Sequence, residues 1–104
     1  MKKPRGERGS WFAELDGERL PCVHKYWWKG PKSYHDLYAR PGDQKFQELV
    51  AAIKLGHRVI LTEDTTLDNG HLFERTGYVA VFEVGNVEFD EDGLRFEFKS
   101  RHDF

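Results

Sequence analysis

Apolar residues recur at helical spacing in one stretch of the chain, residues 43–55. Spacings of i, i+3, i+4 and i+7 place its apolar side chains on one face of a helix. These side chains are Phe46, Leu49, Val50 and Ile53. Asp43 precedes them as a plausible N-cap, and Gly56 follows, as glycine does at the end of many helices. The pattern predicts one main helix over about residues 43–55.

Elsewhere, apolar and polar residues alternate, or β-branched runs lie between turn residues, which is typical of strands. The predicted strands are 10–15, 18–28, 58–61, 77–84 and the two arms of a final hairpin that turns at Asp92-Gly93. Tight turns are predicted at Asp16-Gly17 and Gly85-Asn86. Residues 29–42 are predicted to form a loop, and the polar residues 62–76 a long connection. Because this connection contains Asn69-Gly70, it could itself be a hairpin.

One helix and five to seven strands with short turns predict an α+β fold. We expect a small, strongly curved antiparallel sheet or a β-barrel with the helix on one side, because closure would remove exposed strand edges. A chain of 104 residues is typical of a single domain. The prediction is therefore one domain over 1–104, with residues 1–9 as a flexible basic tail.

Composition limits the cellular setting. The chain has one cysteine, Cys22, which fits a reducing compartment. The basic N-terminus is not followed by the apolar segment of a secretory signal, and no apolar stretch reaches the length of a membrane span. We therefore predict a cytoplasmic protein with no membrane partner.

Charge is unevenly distributed along the chain. Residues 19–58 carry eight Lys and Arg and three acidic residues, whereas residues 59–104 carry four and eleven. Such a division could give the molecule a positive face, unless folding intermixes the two halves.

The aromatic-basic segment, residues 25–42, contains five of the fifteen aromatic residues and four of the sixteen Lys and Arg. Nucleic-acid bases stack on aromatic rings, while Lys and Arg pair with phosphates. A pocket for an extruded base also needs flat walls and a few polar groups. The predicted nucleic-acid-binding residues, for RNA or DNA, are Lys25, Trp27, Trp28, Lys29, Lys32, Tyr34, His35, Tyr38, Arg40 and Arg58. The rings would stack, the cations would hold phosphates, and His35 would read the edge of a modified or extruded base.

The same residue types allow other interpretations. Trp, Tyr and Arg also dominate protein–protein interfaces, so the aromatic-basic segment could dock a protein partner. Large rings also fasten long loops to a core, and at least one of Trp27 and Trp28 is expected to be buried. A third alternative is a small enzyme centred on His24 or His35.

Metal and catalytic motifs are weak. Cys22 and His24 could approach one ion from a strand face, but no supporting Cys or His spacing accompanies them, so Cys22 is interpreted as a core residue. Asp90, Glu97 and Lys99 follow the D…(D/E)-x-K order of metal-dependent nucleases. Strand alternation, however, places the last two on a charged outer face. We predict no cofactor, no metal and no catalytic residue.

One run is similar to a known superfamily. Lys54-Leu55-Gly56-His57-Arg58 ends the predicted helix and leads into Val59-Ile60-Leu61, and Gly77 later begins the strand Gly77–Val84. This order resembles PUA-like domains, particularly the EVE and ASCH types, over about residues 54–84. His57 stands where the family usually has Asp. The resemblance implies a small β-barrel, and several such domains bind RNA or modified bases in DNA. It identifies no binding residue in this chain.

Overall fold

Seven strands in one sheet and one α-helix form the fold of the described residues. The computed structural model describes residues 4–7, 10–67 and 72–104. The strands are β1 (Arg5–Gly6), β2 (Phe12–Leu15), β3 (Glu18–His24), β4 (Ser33–Asp36), β5 (Arg58–Leu67), β6 (Leu72–Asp90) and β7 (Gly93–His102). The helix α1 spans Gln44–Gly56, and a short 3₁₀ helix spans Lys25–Trp27. The predicted α+β class with one main helix is confirmed.

The sheet is mixed and open. Its strand order is β1-β2-β3-β5-β6-β7-β4, and β3 pairs with β5 in parallel. The prediction of a purely antiparallel sheet is therefore wrong, because α1 lies in a long crossover that lets β5 return beside β3 in the same direction. Within the described residues β1 and β4 are the two ends of the order, so the sheet is not a closed barrel. An isolated bridge joins Trp28 to Tyr34 near the β4 end.

The helix begins and ends at local signals. The Asp43 carboxylate accepts a hydrogen bond from the Lys45 backbone N–H at 2.9 Å. His57 stops the helix in the left-handed region, with φ of 53°. Leu49, Val50 and Ile53 face the core, which confirms the apolar stripe. No helix in the described part of the chain is both long enough and apolar enough to cross a membrane.

Two predicted turns differ in outcome. Asp16 and Gly17 have φ values of 51° and 81°, which confirms the tight turn, since a type I′ turn needs positive φ at both positions. The predicted turn at Gly85-Asn86 is wrong, because β6 runs through it. Asn86 has a φ of 54° and lies in a bulge between the pairs Gly85–Glu97 and Glu88–Arg95. A bulge bends a strand without ending it.

The described parts of the polar connection, residues 62–67 and 72–76, belong to two paired strands. β5 continues to Leu67 and β6 begins at Leu72, and the two strands remain paired to these ends. The alternative that this connection is itself a hairpin is confirmed. Its proposed Asn69-Gly70 turn lies outside the described residues, as do residues 1–3 and 8–9 of the predicted N-terminal tail. Within that tail, Arg5 and Gly6 pair with β2.

The aromatic-basic segment is more structured than predicted. β3 ends at His24, four residues before the predicted end, and the chain then forms the 3₁₀ helix. The predicted loop 29–42 contains β4, which pairs with β7 so that Tyr34 lies opposite Phe96. The two rings stack with centroids 4.5 Å apart. This distant pairing explains why a segment bounded by Gly-Pro and Pro-Gly is a strand.

The sheet is buried on both faces along the first half of β5, at residues 59–62. Val59 and Leu61 belong to the larger core, together with α1, while Ile60 belongs to a second cluster with Cys22 and Val81. Burial raises the pKa of the Cys22 thiol to about 12. The thiol is therefore protonated at neutral pH, in agreement with its interpretation as a core residue.

Candidate functional site

Three rings of the aromatic-basic segment form a cluster at the surface. Tyr26 and Tyr38 are 47% and 46% exposed, whereas Trp27 between them is 3% exposed. The ring centroid of Trp27 lies 4.8 Å from that of Tyr26 and 5.4 Å from that of Tyr38. Both contacts are edge-to-face, at 84° and 77°. We call Tyr26, Trp27 and Tyr38 the aromatic cluster. Its buried member supports two partly exposed rings.

The remaining rings of the segment serve mainly the core. Tyr34 is 2% exposed, and its hydroxyl accepts a hydrogen bond from the His24 backbone N–H at 3.1 Å. Burial raises the pKa of Tyr34 well above its ordinary value. Trp28 is half-buried, and its Nε1–H donates to the Pro31 carbonyl at 3.2 Å. The expectation that Trp27 or Trp28 is buried is confirmed, and neither Trp27 nor Tyr34 offers an open ring face.

Cations lie beside the aromatic cluster. The Lys29 ammonium is 5.6 Å from the centroid of the Trp27 ring, within the range of a cation–π contact. The Arg40 guanidinium donates to the backbone oxygens of Leu37 and Ala39, which fixes it next to Tyr38. Lys25 is 3.7 Å from Glu63 and about half exposed, so this weak pair leaves its charge accessible to solvent.

The other predicted contacts lie elsewhere. His35 Nε2 is 2.7 Å from the Asp92 carbonyl oxygen, to which it can donate, so it fastens β4 to the β6–β7 turn. Lys32 is exposed, and its carbonyl accepts a hydrogen bond from the Phe98 N–H at 2.7 Å. Arg58 forms a 2.8 Å ion pair with Glu18. It opens β5, at the end remote from the aromatic cluster, because β5 runs parallel to β3.

Asp36 controls the backbone that carries Tyr38. Its side chain is buried, and its Oδ1 accepts hydrogen bonds from the N–H groups of Tyr38 at 2.9 Å and Ala39 at 3.2 Å. Burial raises the pKa of Asp36, partly opposed by these two hydrogen bonds and by His24. The carboxyl group therefore sets the turn from β4 to the exposed ring.

We expect Asp36→Ala to lower the free energy of unfolding by roughly 1–3 kcal/mol, because two buried N–H groups lose their acceptor. Asp36→Asn keeps an acceptor and should cost less. The folded-state pKa of Asp36 is raised, so its contribution to stability falls as the pH rises from the unfolded value of 3.8 through the folded value. Urea titrations across that interval should show a smaller decrease for Asp36→Asn than for the parent protein. If the free energy of unfolding changed equally with pH in both proteins, the burial of the Asp36 carboxylate would be contradicted.

Two exposed side chains of the site were not among the predicted contacts. Tyr26 was predicted to lie within the strand 18–28, but β3 ends at His24, and in the 3₁₀ helix that follows Tyr26 is exposed. Leu37 is 46% exposed and directly precedes Tyr38. Its position after β4 would have been informative only once β4 itself had been recognised.

The nuclease-like carboxylates do not share a site. Asp90 pairs with Gly93 in the sheet, whereas Glu97 pairs with Gly85, farther along both strands. Asp90 forms a 2.7 Å ion pair with Arg95, which lowers its pKa. Within residues 4–7, 10–67 and 72–104, no three His, Cys, Asp or Glu side chains are grouped to hold a metal ion.

The site is therefore defined by its own geometry: two exposed tyrosine rings on a buried tryptophan, with Lys25, Lys29 and Arg40 around them. Comparison of the chain with models of protein families, with curated proteins and with solved structures gave no match.

Proposed function

We propose that the chain binds single-stranded nucleic acid on the aromatic cluster. The observation that carries this proposal is the pair of exposed tyrosine rings supported edge-to-face by Trp27. A base stacked on such a ring contributes about 1–3 kcal/mol without regard to sequence. Because Trp27 already restricts both rings, stacking costs them less conformational entropy than it would cost free side chains.

The cations of the same segment would contact the phosphates. Lys25, Lys29 and Arg40 are exposed, and a strand stacked on Tyr26 or Tyr38 would run beside them. Trp27 and Tyr34 act as supports rather than as stacking surfaces, and Arg58 and His35 are not part of the proposed contact. Single strands suit this arrangement because their bases are free to stack outward. An extruded base in a duplex would use the same rings.

Several finer predictions accompany this proposal. Strong curvature of the sheet is supported by the register shifts of β6 against both neighbours, since bulges bend strands. The resemblance of residues 54–84 to PUA-like domains and the cytoplasmic location stay predictions.

The first test is a titration with a fluorescein-labelled 12-nucleotide single strand at 50 and 200 mM NaCl, followed by anisotropy. Three phosphate contacts on a single strand predict a slope of log K against log salt of about −2, and hence about 20-fold weaker binding at the higher salt. We expect dissociation constants of tens of micromolar and weaker binding to the matching duplex. No salt-dependent binding in that range would refute the proposal.

Matched variants locate the contact. Lys29→Ala and Arg40→Ala should each reduce the salt slope by about 0.7, the share of one phosphate contact. Lys54→Ala removes an exposed cation in the last turn of α1 and should leave the slope unchanged. Equal effects of all three substitutions would indicate a general charge effect and no defined site.

Docking of a protein is the second candidate function, and Leu37 is the observation that favours it. An aliphatic side chain 46% exposed beside Tyr38 extends the apolar surface without a role in phosphate or base contact. Binding at such a surface depends little on salt. Absence of salt-dependent oligonucleotide binding, together with binding of a protein that Leu37→Ala weakens and added NaCl leaves unchanged, would favour this alternative.

A further inference from the structure

A cleft opens where the residues leading into β2, the first turns of α1 and β3 meet. It has a volume of about 190 Å³ and is lined by Ser10, Trp11, Phe12, Arg19, Lys45 and Glu48. Pockets for drug-sized ligands have volumes of roughly 300–1,000 Å³, so this cleft suits a smaller molecule, of about the size of an amino acid. None of its lining residues belongs to the aromatic-basic segment, so the cleft is distinct from the aromatic cluster.

Two aromatic rings form the apolar wall of the cleft. Trp11 is half-buried, and its ring centroid lies 4.6 Å from that of Phe46 on α1. The Phe12 ring is buried, and the Arg19 guanidinium lies over it, 3.7 Å from the ring centroid. Because these contacts already hold both rings in place, an apolar group of a ligand would meet a formed surface.

Charge is divided within the cleft. The Arg19 guanidinium donates two hydrogen bonds to the Glu7 carboxylate, at 2.5 and 3.0 Å, so its charge is largely balanced. These bonds raise the pKa of Arg19, and the nearby charge of Glu48 adds to the effect. Lys45 Nζ lies 6.0 Å from the centroid of the Trp11 ring. Neither Lys45 nor Glu48 forms an ion pair with another described residue. The cleft therefore offers a ligand one ammonium and one carboxylate.

This combination of groups matches a free amino acid. Lys45 would donate to the α-carboxylate and Glu48 would accept from the α-ammonium, as charge-assisted hydrogen bonds. The two residues are three positions apart on α1, so their side chains are neighbours on one face of the helix. A large apolar side chain of the ligand would then lie against Trp11. A simple anion would be repelled by Glu48 and a simple cation by Lys45, so a zwitterion is favoured over either.

We propose that the cleft binds an amino acid with a large apolar side chain, with Lys45 at its carboxylate, Glu48 at its ammonium and Trp11 along its side chain. The inference is independent of the proposed function, because no residue of the aromatic cluster takes part. Charge pairs are weak in a cleft open to solvent. Since a ligand of this size also makes few contacts, we expect a dissociation constant of about 1–10 mM.

The test is a titration of the ¹⁵N-labelled protein with L-phenylalanine to 50 mM, followed by the chemical shift of the Trp11 indole N–H. The signal is identified by its loss in Trp11→Phe. Two analogues provide the comparison, since 3-phenylpropionate lacks the ammonium and phenethylamine lacks the carboxylate. Each should bind at least about threefold more weakly than phenylalanine, the share of one exposed charge pair. Equal binding of all three compounds would overturn the proposal, and so would an unchanged Trp11 signal.

Substitutions on α1 assign each charge to its partner. Glu48→Gln should weaken phenylalanine binding at least about threefold but should not weaken binding of 3-phenylpropionate, which has no ammonium. Lys45→Gln should weaken binding of both carboxylates but not of phenethylamine. Lys54→Gln removes a cation from the last turn of the same helix and, as the matched control, should leave all three affinities unchanged. If Glu48→Gln and Lys45→Gln weaken all three compounds alike, these charges do not recognise the ligand and the proposal is overturned.

Two further variants distinguish the cleft from the aromatic cluster. Because phenylalanine can also stack on exposed tyrosine rings, Tyr26→Ala and Tyr38→Ala are titrated as well. Both should keep the affinity of the parent protein for phenylalanine, and loss of binding in either would move the contact to the aromatic cluster and overturn this inference. Glu48→Gln should in turn bind the single-stranded 12-mer as the parent protein does. Failure of the amino-acid site and failure of the nucleic-acid site are therefore distinguishable.

Discussion

Replacing Gly93 with alanine is expected to lower the free energy of unfolding by roughly 3 kcal/mol, because it combines overpacking with backbone strain. A Cβ at this position would lie 2.1 Å from the Asp36 carbonyl oxygen and 3.3 Å from the Leu37 Cα, both backbone atoms. Gly93 also has a φ of 108°, which side-chain-bearing residues rarely adopt. A loss of this size should lower the melting temperature by more than about 10 °C in a domain of this length.

Alanine substitutions at two other glycines distinguish overpacking from backbone strain. Gly17→Ala introduces a side chain at a φ of 81° with no atom within 4 Å, and so measures conformational strain alone. Gly42→Ala meets no neighbour within 4 Å either and should be nearly neutral. Urea denaturation should rank the losses Gly93, Gly17, Gly42 from largest to smallest. A Gly93→Ala loss no greater than that of Gly17→Ala would mean that β4 does not lie against this turn.

The consequence reaches the binding site. Displacement of β4 would move Asp36, whose carboxylate holds the N–H of Tyr38. Gly93→Ala should therefore also weaken nucleic-acid binding, although Gly93 lies on β7, away from the aromatic cluster. The close approach of Gly93 to the backbone of Asp36 and Leu37 therefore supports both the stability of the sheet and the geometry of the site.

Elements governed by local signals were predictable from the sequence. The helix follows from residue spacing and from Asp43, and the first turn from the positive φ that Asp16-Gly17 tolerates. Both depend on interactions within a few residues. The alternation along β7 was equally informative, since it needs no knowledge of a distant partner.

Elements governed by distant partners were not predictable. β4 forms because Tyr34 stacks on Phe96, which is 62 positions later in the chain. Parallel pairing of β3 with β5 depends on how the crossover packs, and the open order of the sheet follows from that pairing. No short-range sequence pattern determines these strand pairings. The predictions of a barrel and of a strand that continues to residue 28 were therefore wrong.

The same division applies to the candidate site. Composition drew attention to the aromatic-basic segment, in which Tyr38, a predicted contact, and Tyr26, which was not predicted, are the exposed rings. It could not assign each ring to core or solvent, because Trp27 and Tyr34 are buried by elements far away in sequence. The contact of His24 with Asp64 spans 40 positions, and Asp64 lies in a predicted polar connection. The pairing that places Asp64 beside His24 is visible only in the folded sheet.

The tyrosine rings provide the largest expected effect on function. Tyr26→Ala and Tyr38→Ala should each weaken binding of a single-stranded 12-mer by about 1–3 kcal/mol, the cost of one lost stacking surface. This corresponds to about 5- to 150-fold in the dissociation constant. Tyr26→Phe and Tyr38→Phe keep the ring and should stay within about threefold of the parent protein. Anisotropy titrations at fixed salt would measure all four variants.

The double variant tests whether the rings act as one surface. Tyr26 and Tyr38 both lean on Trp27, so loss of one ring should loosen the support of the other, and the two losses should not add. Leu55→Ala is the control, since it removes an 87% exposed apolar side chain from the end of α1 and should leave affinity unchanged. If both single alanine variants bind as tightly as the Leu55 variant, stacking on these rings is not the source of affinity. If the losses add fully, Trp27 does not couple the rings, and each tyrosine contacts its own nucleotide independently.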